Sequence, residues 1–249
     1  RKYSELILFG EKAALQFPEK VIIKNIIGAG YTALNQFSNA INHYKAALKL
    51  EPKNAEVLNN LGLTFKAIGD FKKANECFEN SISIKPNFAE AFNNMALSLK
   101  EERKFEKAII SLEKAIALKN NYAEAYYNLG NVYNLLGELE KSINMFTRAI
   151  DIKSDYFDAY NNLGAVYNLK KDYDKAYQNI QKAISLNPNN ADAFNNLGTS
   201  ARNLNKEDEA IAHYNKAISI DPKLIIAYSN LCELHEKSNN LKKVENILD

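Results

Sequence analysis

Residues 157–190 read FDAYNNLGAVYNLKKDYDKAYQNIQKAISLNPNN, and a related pattern recurs every 34 residues along most of the chain. Within this unit, apolar or small residues occupy positions 4, 7, 8 and 11, and a second set occupies positions 20, 24 and 27. Both sets advance in steps of three and four residues, which places each set along one face of an α-helix. Pro188 falls at position 32, where it ends the second helix. The stretch therefore predicts two helices joined by a turn.

The 34-residue register extends to both ends of the chain. Residues 1–20 match the second helix of an incomplete unit, and residues 225–249 match a truncated seventh unit. Six full units lie between them, at residues 21–54, 55–88, 89–122, 123–156, 157–190 and 191–224. We expect a single solenoid over residues 1–249, because each unit buries its apolar face only against its neighbours. Since the chain opens and closes inside a unit, we expect a fragment of a longer protein, with a domain that ends in atypical capping helices as the alternative.

A 34-residue period with small residues at positions 8, 20 and 27 resembles the tetratricopeptide repeat (TPR) family. The resemblance implies an all-α fold, a right-handed superhelix of helix–turn–helix repeats. Small residues at position 8, such as Gly164, are expected to let the two helices of a repeat approach closely. Position 15 is the turn between these helices, where Asn35 and Gly69 tolerate the left-handed conformation that ends a helix. Arg103 and Lys171 depart from this preference, so we expect those two turns to fray or to adopt another conformation.

Composition argues against several classes of function. The chain has 32 Lys and Arg residues against 30 Asp and Glu residues, and a net charge of +2 does not favour nucleic-acid binding. No apolar run approaches the length of a membrane span. The cysteines, Cys77 and Cys232, match neither a disulfide framework nor a metal motif, which is compatible with a reducing, cytoplasmic location. The sequence shows no nucleophile beside a base, no histidine pair at metal-binding spacing and no phosphate loop, so we expect neither catalysis nor a cofactor.

Asparagines recur at two adjacent positions in the first helix of the repeats. Position 6 carries Asn60, Asn94, Asn128, Asn162, Asn196 and Asn230. Position 5 carries Asn25, Asn59, Asn93, Asn161 and Asn195, with Tyr127 and Ser229 as exceptions. Asparagine is a poor helix former, so its recurrence in the middle of a helix needs an explanation. Two explanations stay open: a hydrogen bond to a neighbouring helix that fixes the spacing of the repeats, or contact with a ligand.

The Asn-Asn-Leu-Gly pattern at residues 59–62, 161–164 and 195–198 resembles the repeats of O-linked GlcNAc transferase. The resemblance implies that the first helix of each repeat lines a concave groove, and that the position-6 asparagines hold the backbone of an extended peptide. Further candidates for this groove fall at positions 5, 9 and 12: Tyr127, Asn131, Lys66, Lys100, Asn134, Asn168 and Arg202. TPR proteins that clamp a carboxylate need, by the same kind of resemblance, a lysine at position 5. No repeat has one, so capture of an acidic chain terminus is not expected.

We therefore predict a module that binds an extended peptide or protein segment, and that binds neither nucleic acid nor membrane. By resemblance to bacterial TPR proteins, one alternative is the recruiting or scaffold arm of a glycosyltransferase or sulfotransferase domain outside this sequence. The other alternative is self-association through the terminal repeats. The last unit would leave Leu241, Val244 and Leu248 uncovered, and exposed apolar patches of that kind mark interfaces.

Overall fold

The computed structural model of this chain describes residues 2–237, which form fourteen α-helices joined by short turns, with no β-strand in that range. The chain divides into two compact units, Arg1–Asn128 and Leu129–Asp249. The first unit holds α1 Lys2–Gln16, α2 Val21–Ala33, α3 Phe37–Leu50, α4 Ala55–Ala67, α5 Phe71–Ile84, α6 Ala89–Glu101, α7 Phe105–Leu118 and the N-terminal part of α8 Ala123–Leu135. The second unit holds the rest of α8, α9 Leu139–Ile152, α10 Phe157–Leu169, α11 Tyr173–Leu186, α12 Ala191–Asn203, α13 Glu207–Ile220 and α14 Ile225–Lys237. The predicted fold class, an all-α helical repeat, is confirmed.

The helix boundaries follow the 34-residue register. Every even-numbered helix begins at position 1 of a repeat, and we call it helix A; every odd-numbered helix from α3 to α13 begins at position 17, and we call it helix B. Helix α1 is the helix B expected of the incomplete first unit. The last unit is described as far as its helix A, which is α14. The predicted apolar edge at Leu241, Val244 and Leu248 lies outside the described residues.

Within each unit the helices pack in one repeating arrangement. In the first unit α2 packs on α3, α4 on α5 and α6 on α7, and α1, α3 and α5 each also pack on the next helix A. In the second unit the same holds for α10 with α11 and for α12 with α13. Successive helices A also touch, as α2 with α4 in the first unit and α10 with α12 in the second. Equivalent positions of neighbouring helices A therefore lie side by side.

Glycine at position 8 makes room for a large side chain at position 24 of the same repeat. A Cβ atom on Gly62 would lie 2.7 Å from Cε1 of Phe78, and a Cβ atom on Gly198 would lie 2.6 Å from Cε1 of Tyr214. Both rings are fully buried. Real Cβ atoms do not approach other heavy atoms so closely, so the ring would have to move. The predicted packing role of these glycines is confirmed.

The turn between helix A and helix B takes the left-handed conformation in every complete repeat. The φ angles are 58° at Asn35, 79° at Gly69, 58° at Arg103, 74° at Gly137, 64° at Lys171 and 59° at Asn205. The expectation that Arg103 and Lys171 would fray or use another turn is therefore wrong. The N–H of Arg103 donates to the carbonyl of Lys100, and the N–H of Lys104 donates to that of Leu99, both at 2.9 Å. Closing the helix in this way outweighs a left-handed cost of roughly 1–2 kcal/mol for a residue with a side chain.

Helix α1 carries an exposed apolar surface. The side chains of Phe9 and Leu15 are 75% and 85% exposed. Beside them a cavity of about 400 Å³ is lined by Leu6, Phe9, Gly10, Ala13, Ile23 and Ile26. None of the described helices is both long enough and apolar enough to cross a membrane.

Candidate functional site

The predicted site residues all fall at positions 5, 6, 9 and 12 of helices A, a set that we call the ladder face. These positions span about a third of the helix circumference, because each residue advances about 100° around the axis. The six position-6 asparagines are all half-buried. The ladder face is therefore a contiguous strip on each helix A, and its members are near enough to interact with the same positions of the next helix A.

In the first unit, each position-6 asparagine donates a side-chain N–H to the position-5 asparagine of the preceding repeat. The Nδ2–Oδ1 distances are 3.0 Å for Asn60 to Asn25, 3.0 Å for Asn94 to Asn59 and 2.8 Å for Asn128 to Asn93. Asn59 and Asn93 are only 6% and 5% exposed, so their carbonyl oxygens need a donor. The interpretation that these asparagines bond a neighbouring helix is confirmed, and the bonds join one repeat to the next.

The second unit uses the same bond with one substitution. The Nδ2–Oδ1 distances are 3.2 Å for Asn196 to Asn161 and 2.9 Å for Asn230 to Asn195. The repeat before Asn162 has Tyr127 at position 5, and Asn162 donates instead to Oδ1 of Asn131, at position 9, over 2.9 Å. The substitution keeps an inter-repeat amide bond where the pattern of asparagines is interrupted.

These bonds use only part of each amide. A carboxamide has two N–H donors and an acceptor oxygen, and the inter-repeat bond consumes one donor. Among residues 2–237, no donor is bonded to Oδ1 of Asn60, Asn94, Asn128, Asn196 or Asn230. Each of these side chains is held in one orientation and still has an acceptor and a second donor available. An arrangement of this kind can bond the N–H and C=O groups of another chain.

The side chains at position 12 make different hydrogen bonds from one repeat to another. Thr32 lies at position 12, and Thr64 lies at position 10 of the next repeat. Their hydroxyl oxygens are 2.9 Å apart and share a hydrogen bond. Asn168 makes two bonds: its Nδ2 donates to the carbonyl of Asn196 at 3.1 Å, and its Oδ1 accepts from Oγ of Ser200 at 2.9 Å. At Asn134, by contrast, Oδ1 is buried and has no hydrogen-bond partner within the described residues.

The predicted cationic members of the face are largely engaged with carboxylates. Arg202 lies 2.8 Å from Oε2 of Glu233, and Lys100 lies 3.1 Å from Oε1 of Glu101. Burial lowers the pKa of Lys66, and the nearby Glu101 carboxylate opposes that shift. The ladder face therefore presents amides more than unpaired positive charge, which favours neutral main-chain groups over acidic ligands.

A second polar cluster, which the sequence reading missed, lies in the first unit away from the ladder face. Asn75, at position 21 of helix B, donates to Oε2 of Glu102 at 2.5 Å, and its own Oδ1 is buried without a partner in the described part of the chain. The pair borders a cavity of about 370 Å³. The previous repeat has Ile41 and Ile68 at the same two positions. The signal in the sequence was the replacement of two aliphatic residues at once.

No described group of three His, Cys, Asp or Glu side chains is arranged to hold a metal ion. His43 lies 3.3 Å from Glu11 and stacks on Tyr31 at 5.4 Å, in the first unit. His213, in the second unit, is half-buried against Tyr177 and Phe194. Both histidines therefore contact neighbouring helices, although Nε2 of His213 is buried and has no hydrogen-bond partner within the described residues.

Comparison with known proteins identifies related repeat families and related structures. Family models described as TPR repeat match residues 28–69, 99–137 and 130–170, and models described as tetratricopeptide repeat match residues 55–88 and 155–223. No curated protein matches the chain significantly. Among solved structures, MamA is 30% identical, with a TM-score of 0.60 over 66% of this chain and 95% of the MamA chain.

Two further structures are similar in fold at lower identity. The Cut9–Hcn1 hetero-tetramer of the APC/C gives a TM-score of 0.80 at 18% identity, over 93% of this chain and 46% of the matched chain, so this chain spans less than half of that relative. YrrB, a TPR protein with an unusual peptide-binding site, has a TM-score of 0.61 and is 19% identical, over 78% of this chain and 97% of the YrrB chain. The family models together match more than half of the chain, in keeping with its 34-residue register, and the chain therefore belongs to the tetratricopeptide repeat family.

Proposed function

We propose that this chain is a protein-interaction scaffold whose ladder face binds an extended peptide segment through main-chain hydrogen bonds. The observation that carries the proposal is a set of five position-6 amides, each held by an inter-repeat bond and each with an unused acceptor and donor: Asn60, Asn94, Asn128, Asn196 and Asn230. Such amides are suited to the N–H and C=O groups of a peptide. The similarity to YrrB, which has a peptide-binding site, supports the same function.

The spacing of the repeats agrees with this ligand. Packed helices lie about 8–10 Å apart and an extended peptide rises about 3.3 Å per residue, so one ladder asparagine would meet roughly every third peptide residue. A segment of about 12 residues would then contact four repeats. Because the amides address the main chain, affinity should depend more on an extended conformation than on the sequence of the peptide.

Two other predictions remain open. Recruitment of substrates to a transferase rests on the sequence resemblance, and it would use the same peptide-binding face. Self-association rests on exposed apolar surface, of which Phe9 and Leu15 on α1 are described examples. Both stay predictions, and neither changes the test of the ladder face.

The test begins with a display library of random 12-residue peptides, selected on the immobilised 249-residue chain. Selected peptides are synthesised with a fluorescent label and titrated by anisotropy. We expect the Asn94→Ala variant to bind more weakly, and the Asn80→Ala variant, which alters an exposed asparagine on helix B, to bind like the wild type. An equal loss of peptide affinity in both variants would contradict the proposal, and so would the absence of any peptide that binds the wild-type chain.

A further inference from the structure

Asn134 and Asn168 occupy position 12 in consecutive repeats of the second unit, yet their amides are held very differently. The amide of Asn168 is fixed at both ends, by the carbonyl of Asn196 and by the hydroxyl of Ser200. The Oδ1 atom of Asn134 is shielded from solvent and has no donor among the described residues. One sequence difference accounts for this contrast.

The difference lies at position 10 of the following repeat. Ser200 supplies the hydroxyl that Asn168 accepts from, and the equivalent residue for Asn134 is Val166, which is fully buried and has no donor. Position 10 carries a hydroxyl in other repeats as well: Thr64 bonds Thr32 at position 12 of the repeat before it. The hydroxyls of Thr64 and Ser200 thus engage a position-12 side chain, whereas Oγ of Ser98, opposite Lys66, has no hydrogen-bond partner among the described residues. Opposite Asn134, Val166 offers no hydroxyl at all.

This difference has a consequence for ligand binding. A buried carbonyl oxygen without a donor is unfavourable, so rotation of the Asn134 side chain toward the ladder face relieves a cost and breaks no bond at Oδ1. Asn168 would have to give up two hydrogen bonds to make the same movement. Presenting the Asn134 amide to a ligand is therefore easier than presenting that of Asn168.

We infer that Asn134 provides the strongest main-chain contact of the ladder face, accepting an N–H and donating to a C=O of the bound peptide, and that Val166 is the positioning residue that keeps it available. This inference rests on the proposed function and names the residue at which the peptide is held most strongly. Asn131, on the same helix, already accepts a bond from Asn162 and is less able to take this role.

The test uses variants at position 10 that leave the ladder face itself unchanged. Val166→Thr adds a hydroxyl at nearly constant volume and should bond Oδ1 of Asn134, as Ser200 bonds Asn168. The probe is a labelled 12-residue peptide selected on the wild-type chain. We expect Val166→Thr to weaken binding about five-fold, the equivalent of one hydrogen bond, with an unfolding temperature at or above that of the wild type. Val166→Ala, the matched control without a hydroxyl, should bind the peptide like the wild type although it unfolds at lower temperature.

Two additional measurements keep the outcomes distinct. In the peptide-free chain, NMR relaxation of the side-chain amides should show Asn134 more mobile than Asn168, and Val166→Thr should reduce that mobility. The Asn134→Ala variant should lose as much affinity as Val166→Thr does. Wild-type affinity in Val166→Thr, together with lost affinity in Asn94→Ala, would overturn the role of Asn134 and leave the proposed function standing. Failure of the wild-type chain to bind any selected peptide would overturn both.

Discussion

Asn94 donates its side-chain N–H to Oδ1 of Asn59, one residue short of the equivalent position in the preceding repeat, at 3.0 Å. The same bond spaced by 35 residues recurs in both units. It joins neighbouring helices A through side chains, in addition to the apolar contacts between helices. The five position-6 asparagines that make this bond therefore have a structural role, and the orientation that this role imposes leaves their second donor and their acceptor unused.

Removing one of these asparagines should destabilise the chain. In Asn94→Ala the 6% exposed amide of Asn59 loses its donor, and we expect the free energy of unfolding to fall by about 1–3 kcal/mol, the cost of an unsatisfied buried polar group. Urea denaturation followed by circular dichroism measures the change. The control Asn80→Ala, on an exposed site, should lie within about 0.5 kcal/mol of the wild type. Equal stability of the two variants would show that the inter-repeat bond contributes nothing.

The contact between Gly62 and Phe78 predicts that a substitution at one residue is compensated by a substitution at the other. Gly62→Ala places a Cβ atom 2.7 Å from the ring, and overpacking of this kind costs about 1–3 kcal/mol. The next repeat has Ala96 and Leu112 at the same two positions, both buried. The double variant Gly62→Ala, Phe78→Leu should therefore recover part of the lost stability. A double variant that is less stable than the sum of the two single changes would refute the pairing of positions 8 and 24.

The Asn75–Glu102 pair should be replaceable by the aliphatic pair of the previous repeat. Asn75→Ile with Glu102→Leu removes a buried oxygen that lacks a partner and restores the types of side chain found at Ile41 and Ile68. We expect the double variant to gain about 1–3 kcal/mol, since an unsatisfied buried group costs that much. Thermal unfolding measures this, with Glu102→Leu alone as the control. A loss of stability in the double variant would mean that the polar pair is well satisfied in the folded chain.

Burial of Cys77 predicts a pH dependence. Burial, together with the nearby Glu76 and Asp70 carboxylates, raises the pKa of the Cys77 thiol to about 11. The unfolded thiol ionises at about pH 8.5, so between about pH 8.5 and 11 the unfolded chain loses its proton first and folding stability decreases as pH rises. In a Cys232→Ala background, iodoacetamide at pH 8.5 should alkylate the folded chain far more slowly than the urea-denatured chain. Similar rates in the two states would contradict the raised pKa.

Sequence periodicity was enough to predict the helices, because apolar positions recur at fixed places in every repeat and all five prolines fall at position 32. It also predicted the packing of Gly62, since a small residue at position 8 always accompanies a larger one at position 24. It was wrong at Arg103 and Lys171, because closure of helix A imposes a left-handed residue whatever its side chain.

The partners of the asparagines could not be read from the pattern. Positions 5 and 6 share one period, so recurrence alone does not reveal that an amide bonds across 35 residues rather than 34. Periodicity likewise did not reveal that Asn134 lies opposite Val166, or that Asn75 contacts Glu102. The residues of each pair are 27 to 32 positions apart in the sequence. Whether they interact depends on which side chains the packing of neighbouring helices brings together.

The most direct test of the ladder face compares two double variants in one titration. Asn128→Ala with Asn162→Ala removes the position-6 amides of two repeats that are consecutive in sequence, and Asn80→Ala with Asn144→Ala removes two exposed amides on helices B. Each lost main-chain contact is worth about 0.5–1.5 kcal/mol, so the first variant should bind a selected 12-residue peptide about 5- to 150-fold more weakly than the wild type, and the second should bind it equally well. A lowered unfolding temperature with unchanged peptide affinity in the first variant would contradict the account, because it would leave these asparagines with a structural role alone.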